Sequence, residues 1–115
     1  MDIYQLSAKI NLKQLKEIAT ERFGDMVKGV VDIEKNMIVL GADLHADEEA
    51  LLLEQGSEQK NLWGFNLYPD ALGEGFIEFD SMINIRPSQG NRSRTVQDPE
   101  IQKQITRVVR EWIEQ

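Results

Sequence analysis

Phe76-Ile77-Glu78-Phe79-Asp80-Ser81-Met82-Ile83-Asn84-Ile85-Arg86-Pro87 is the stretch on which the reading of this chain turns. Its alternation predicts a strand over 76–86 that Pro87 stops. Ile77, Phe79, Ile83 and Ile85 fall on one side with Ser81, and Glu78, Asp80, Asn84 and Arg86 on the other with Met82. One face then packs on a core, and the other is polar and meets water or a ligand.

Working outward, residues 62–68 predict a preceding strand, ended by Pro69-Asp70. After the basic stretch, Asp98, Pro99 and Glu100 carry the signals of a helix start, and Ile101, Ile105, Val108, Val109, Trp112 and Ile113 continue as one apolar stripe. Near the other end, Asn11 with Gln14 three residues on reads as a capping box. Leu12, Leu15, Ile18, Ala19 and Phe23 follow at helical spacing, with Gly24 as the stop. Residues 27–33 and 37–44 are β-branched and aliphatic, and Glu34-Lys35-Asn36 between them suits a turn, so a hairpin is expected. Residues 47–55 read as a short helix with acids in its first turn, although its three adjacent leucines also suit a strand. The fold class expected is α+β: one domain over 1–115, in the order α-β-β-α-β-β-α, with a four-stranded, mainly antiparallel sheet and helices packed on one face.

Several blocks resemble a family of small prokaryotic domains of unknown function. They are Asp43-Leu44-His45-Ala46-Asp47-Glu48-Glu49, Asn61-Leu62-Trp63-Gly64-Phe65-Asn66-Leu67-Tyr68-Pro69, the stretch 77–87, and Gln89-Gly90-Asn91-Arg92-Ser93-Arg94. The resemblance implies a stand-alone microbial protein and brings no activity, substrate or catalytic residue with it.

Charge is distributed unevenly. Residues 81–97 hold Arg86, Arg92 and Arg94 with no acid, inside a chain of net charge −7. The acidic balance argues against a general nucleic-acid binder, because phosphate is repelled by most of such a surface. No early apolar run reads as a secretory signal, and no uninterrupted apolar stretch approaches the ~18 residues of a membrane span. The absence of cysteine suits a reducing compartment and rules out thiolate chemistry. A cytoplasmic protein without a membrane partner is expected.

Three constellations carry chemistry. The first is the 86–94 loop, in which the guanidinium groups of Arg86, Arg92 and Arg94 present forked donors to phosphate or carboxylate. Ser88, Gln89, Asn91 and Ser93 add neutral groups, and Gly90 admits close backbone approach. The structural alternative is that these arginines pair with the chain's own acids. The second is the polar face of the 76–86 strand. There Glu78 and Asp80 lie about 7 Å apart along the strand and suit acid–base work. Asn84 continues that row, and Asn66 on the neighbouring strand joins it. The third is Asp43, His45, Asp47 and Glu48, at a strand-to-helix junction around the only histidine. This set can be weighed for a hard cation, but it lacks a second histidine, and its spacing fits neither zinc nor calcium loops. Capping of the following helix accounts for its acids equally well. No phosphate-binding loop, serine-nucleophile elbow or cofactor motif is present.

The expected function is therefore a binding module that engages an anionic small molecule or a protein partner through the 86–94 loop and the polar strand face, without cofactor or bound metal. The alternatives are a small enzyme using Glu78 and Asp80, with His45, on an arginine-anchored substrate, and a subunit whose polar loop completes a homo-oligomer.

Overall fold

A computed structural model describes residues 3–115. In chain order the elements are β1 (Tyr4–Gln5), β2 (Ile10–Asn11), α1 (Leu12–Thr20), β3 (Val27–Asp32), β4 (Met37–Leu40), α2 (His45–Glu54), β5 (Leu62–Leu67), β6 (Ile77–Glu78), α3 (Pro99–Trp112) and β7 (Ile113–Glu114). Five strands form one antiparallel sheet in the order β1-β4-β3-β5-β6, and β2 pairs with β7 in a separate parallel two-stranded unit. The class is α+β as read from the sequence. The main sheet has five strands instead of four, because the two-residue β1 adds itself to the free edge of β4.

The helix ends follow their local chemistry. Asn11 accepts from the Gln14 amide while the Gln14 side chain accepts from the Asn11 amide, which closes the capping box of α1. Asp98 accepts from the Glu100 amide, and Pro99 opens α3 without wasting a donor. The β3–β4 turn uses Asn36 at φ 58°, a backbone region that asparagine tolerates. The leucine-rich segment is helix: α2 starts at His45 and ends before Gly56, whose φ is 96°.

The helices do not share one face. Val27, Val31, Ile38, Leu40, Trp63 and Phe65 form the larger core with Leu15 and Ile18 of α1 and Ile105, Val108 and Val109 of α3. Val30, Val39 and Leu62 point the other way and pack on Leu52 of α2. Strands with apolar residues on both faces need cover on both. Here α2 supplies the second cover, which corrects the one-face expectation.

The predicted 76–86 strand is also corrected. Only Ile77 and Glu78 pair with β5, through Leu67 and Asn66. The chain then leaves the ladder, and residues 79–81 pair with 94–96 instead: Val96 donates to the Phe79 carbonyl at 3.0 Å and Ser81 to the Arg94 carbonyl at 3.1 Å. A 3-10 turn, Met82–Asn84, lies over the second face of the sheet, where Ile83 joins the α2 cluster. The backbone groups of Gly64 that β6 is too short to reach are satisfied by one side chain. Asn84 Oδ1 accepts from the Gly64 amide at 2.9 Å, and Asn84 Nδ2 donates to the Gly64 carbonyl at 3.0 Å. A carboxamide thus replaces a strand's peptide group, which answers the rule that buried backbone polar groups must find partners.

Candidate functional site

The site grows out of a row across three strands. Lys28 on β3 lies opposite Asn66 on β5, and Asn66 lies opposite Glu78 on β6. Period-two alternation puts all three on the face that α2 covers. Helix α2 reaches only partway along that face, so its first turn and the 80–83 segment form two walls around an uncovered patch. The result is an open pocket of about 410 Å³. Lys28, Asn66, Tyr68 and Glu78 form its floor, Leu44 and His45 one wall, and Asp80, Ser81, Met82 and Arg94 the other.

Hydrogen bonds fix most of the polar groups. Asn66 Nδ2 donates to Glu78 Oε1 at 2.8 Å and to the Asp80 carbonyl at 3.1 Å. The Tyr68 hydroxyl donates to the same Glu78 oxygen at 3.1 Å. Arg94 grips Asp80 in a two-pronged contact, Nε to Oδ1 at 3.1 Å and a terminal nitrogen to Oδ2 at 3.0 Å. Asn66 Oδ1 is buried with no donor of good geometry.

His45 Nε2 lies 2.8 Å from the Phe65 carbonyl. A carbonyl only accepts, so Nε2 carries the proton and the neutral ring keeps Nδ1 as an acceptor. Burial holds the imidazole below its usual value of 6.5, against the raising effect of the Phe65 bond. Tyr68 is pushed above its usual value, by burial first and then by its bond to Glu78.

Behind the pocket, Glu48 of α2 is fully buried. One carboxyl oxygen accepts from the Ala42 amide at 3.0 Å, and the other has no partner. Burial raises its pKa well above 4.5, opposed by the Ala42 bond. The linkage has opposite signs for the two groups. Glu48, raised in the fold, contributes stability that is complete below about 4.5 and is lost as pH rises toward its folded value. His45, depressed in the fold, contributes stability present above 6.5 and lost as pH falls through its folded value. Glu48→Gln is expected to flatten the decline from pH 5 to pH 8 and to exceed the wild type at pH 8 by roughly 1–3 kcal/mol. Urea melts across that range measure it, and parallel profiles for the two proteins would contradict it.

The residues singled out from the sequence are divided by the structure. His45, Asn66, Glu78, Asp80 and Arg94 meet around the one pocket. Arg86 does not: its guanidinium is buried and donates to the carbonyls of Ile83, Gln59 and Leu62. It stands 4.7 Å from the Trp63 ring centroid and 3.5 Å from a Glu49 carboxyl oxygen. Asn84 is spent on Gly64. Asn91 is likewise internal, donating to the carbonyls of Asn84, Ser93 and Thr95 and accepting from the Gln97 amide. Gly90 takes φ 81°, and its amide donates to the Pro87 carbonyl, so it closes a turn. Gln89 bonds to the Lys60 carbonyl, and the Ser93 hydroxyl accepts from Thr95. Ser88 and Arg92 are exposed away from the pocket. Gln89, Gly90 and Asn91 line a separate cleft of about 270 Å³ that contains Asp98 and no arginine.

Among the described residues, no group of three histidine or acidic side chains is placed to hold a metal ion. Asp43 pairs with Arg22 at 2.9 Å, Asp47 is exposed, and Glu48 and His45 are bonded to backbone. Likewise no helix among them is long and apolar enough to cross a membrane.

Two titratable pocket residues, Lys28 and Tyr68, lie outside the site residues picked from the sequence. Lys28 was legible as a charge interrupting the apolar Val27–Val31 run. Of the aromatics Trp63, Phe65 and Tyr68, which read from the sequence as core and sheet-edge residues, Tyr68 alone stood out as able to face a ligand.

Together the fold and pocket define a small α+β protein whose second sheet face is half covered and carries a polar cavity. Residues 4–112 fit the family described as protein of unknown function (DUF5674), and the chain belongs to it. No curated protein and no solved structure matches the chain.

Proposed function

We propose that this is a binding module and that the pocket above β3, β5 and β6 is its ligand site. The observation that carries the reading is the convergence of His45, Asn66, Glu78, Asp80 and Arg94, from four separate stretches of sequence, on one open cavity of about 410 Å³. That volume lies within the roughly 300–1,000 Å³ typical of small-molecule sites. The groups hold one another in place, so the pocket is formed before anything enters it.

The ligand is a small polar molecule, not a simple anion. Lys28 and Arg94 are balanced by Glu78 and Asp80, and burial favours a neutral His45. The arginine loop does not supply a second anion site, because Arg86 is consumed internally. One observation favours an enzymatic reading as well: a neutral imidazole faces a pocket that holds two carboxylates, the arrangement that proton transfer uses.

The test is a titration of the ¹⁵N-labelled protein with a library of small polar fragments, followed by amide shifts. Shifts concentrated on residues 44–46, 66–68 and 78–83 are expected. Arg94→Ala, which removes charged hydrogen bonds from the rim, is expected to weaken the bound fragments by about tenfold. Shifts confined to other surfaces would overturn the reading.

A further inference from the structure

We propose that the pocket takes a zwitterionic, amino-acid-like molecule with an apolar side chain, its ammonium on Glu78 and its carboxylate on Lys28; this rests on the pocket being a binding site.

The argument starts from which charges are already matched. Arg94 and Asp80 neutralise each other through two hydrogen bonds. Glu78 is held only by neutral donors, Asn66 and Tyr68. The Lys28 ammonium sits over the Phe23 ring, 5.2 Å from its centroid. Among the described residues, neither Glu78 nor Lys28 has an ion-pair partner. One unmatched negative and one unmatched positive charge therefore share the floor of a single cavity.

Their placement is set by the sheet. Lys28, Asn66 and Glu78 are successive cross-strand neighbours, so the two charged residues stand about 10 Å apart at the backbone. Each side chain can lean inward over Asn66. A cation–π contact with phenylalanine is worth only about 0.5–1 kcal/mol at an exposed site, so Phe23 does not lock Lys28 away. A purely anionic ligand satisfies Lys28 and meets repulsion from Glu78. A purely cationic one satisfies Glu78 and meets repulsion from Lys28. A molecule with both charges satisfies both.

The remainder of the ligand is defined by the rim. Leu44 and Met82 face the cavity from opposite walls and are 56% and 65% exposed; among the described large apolar side chains Met82 is the most exposed, and only Leu72 stands between the two. An apolar side chain lying between them removes both from water. Methionine adapts its shape to such contacts at little cost.

The experiment is calorimetric titration of the full chain at low salt with L-phenylalanine and L-leucine, and with the single-charge analogues phenethylamine and hydrocinnamate. The amino acids are expected to bind at least about tenfold more tightly than either analogue. Lys28→Gln is expected to erase the advantage over phenethylamine, and Glu78→Gln the advantage over hydrocinnamate. Both positions are partly or fully exposed, so neither variant threatens the fold. Equal affinity for an amino acid and its analogue, or pocket binding of other polar fragments without the amino acids, overturns the zwitterion while the binding reading stands. Failure of every probe and every fragment to reach the pocket overturns both.

Discussion

Arg86→Ala is expected to cost about 3–5 kcal/mol, the penalty for breaking a buried charge network by removing one partner. That is a large share of the roughly 5–15 kcal/mol by which a domain is stable. The guanidinium is only 7% exposed, and it serves three backbone carbonyls, of Gln59, Leu62 and Ile83. It ties the turn before β5 to the turn that crosses the sheet, and it lies against Trp63 and beside Glu49. Alanine leaves those acceptors dry and the Glu49 carboxylate without its cation. Arg86→Lys keeps the charge but loses the fork, and is expected to recover less than half of the loss. Urea unfolding followed by tryptophan fluorescence measures both. A loss below about 1 kcal/mol for the alanine variant, the ordinary range for a solvated surface charge, would show that the guanidinium is not an anchor.

Gly64→Ala carries the second large effect. A Cβ at Gly64 would stand 2.6 Å from the Ser81 Cβ and 2.7 Å from its hydroxyl. Ser81 cannot retreat freely, because its amide is bonded to the Arg94 carbonyl and its side chain is buried. Relief requires lifting the Met82–Asn84 turn, which breaks the two Asn84 bonds to Gly64. Overpacking of this kind costs about 1–3 kcal/mol, and the added bond loss places this variant at or above the upper end. Because residues 80–83 are a pocket wall, ligand affinity is expected to fall with stability. Adding Ser81→Gly removes the clashing atoms and is expected to restore more than half of the stability. A double-mutant cycle by thermal melting reads that coupling. Additive losses would mean that the two residues do not meet as described.

Much of the fold was legible because its signals are local. The Asn11–Gln14 capping box, the Asp98-Pro99 start and the Asn36 turn each depend on a few neighbouring residues, and each element forms where it was expected. The 76–86 strand misled because alternation reports only that side chains point to opposite sides. Ile83 is partly buried, as expected of an inward residue, yet against α2 on the second face, after the chain has left the ladder. The clue lay elsewhere, in Gly64 between Trp63 and Phe65. A glycine inside a strand marks close approach of another segment. β1 was missed because two residues at a sheet edge leave no periodic pattern. The apolar positions on both faces of β3 and β4 already required cover on two sides, and that requirement places α2.

The candidate site was partly legible for the same reason. Glu78 and Asp80 share a cavity with Asn66 because β6 keeps its first two residues paired to β5. Arg86 looks like a ligand-holding group in the sequence because nothing local reveals the carbonyls of Gln59 and Leu62, more than twenty residues away, that it serves. A side chain's partners across the fold separate an anchor from a binding group, and residue type alone does not.

The most direct measurement is a crystal of the protein soaked with small polar fragments. Density is expected in the cavity between His45, Asn66, Glu78 and Arg94, in contact with at least two of these side chains. Fragments gathered in the cleft beside Gly90, or in a second groove of about 450 Å³ lined by Phe76, Phe79, Thr106 and Arg110, with the pocket left empty, would contradict the account.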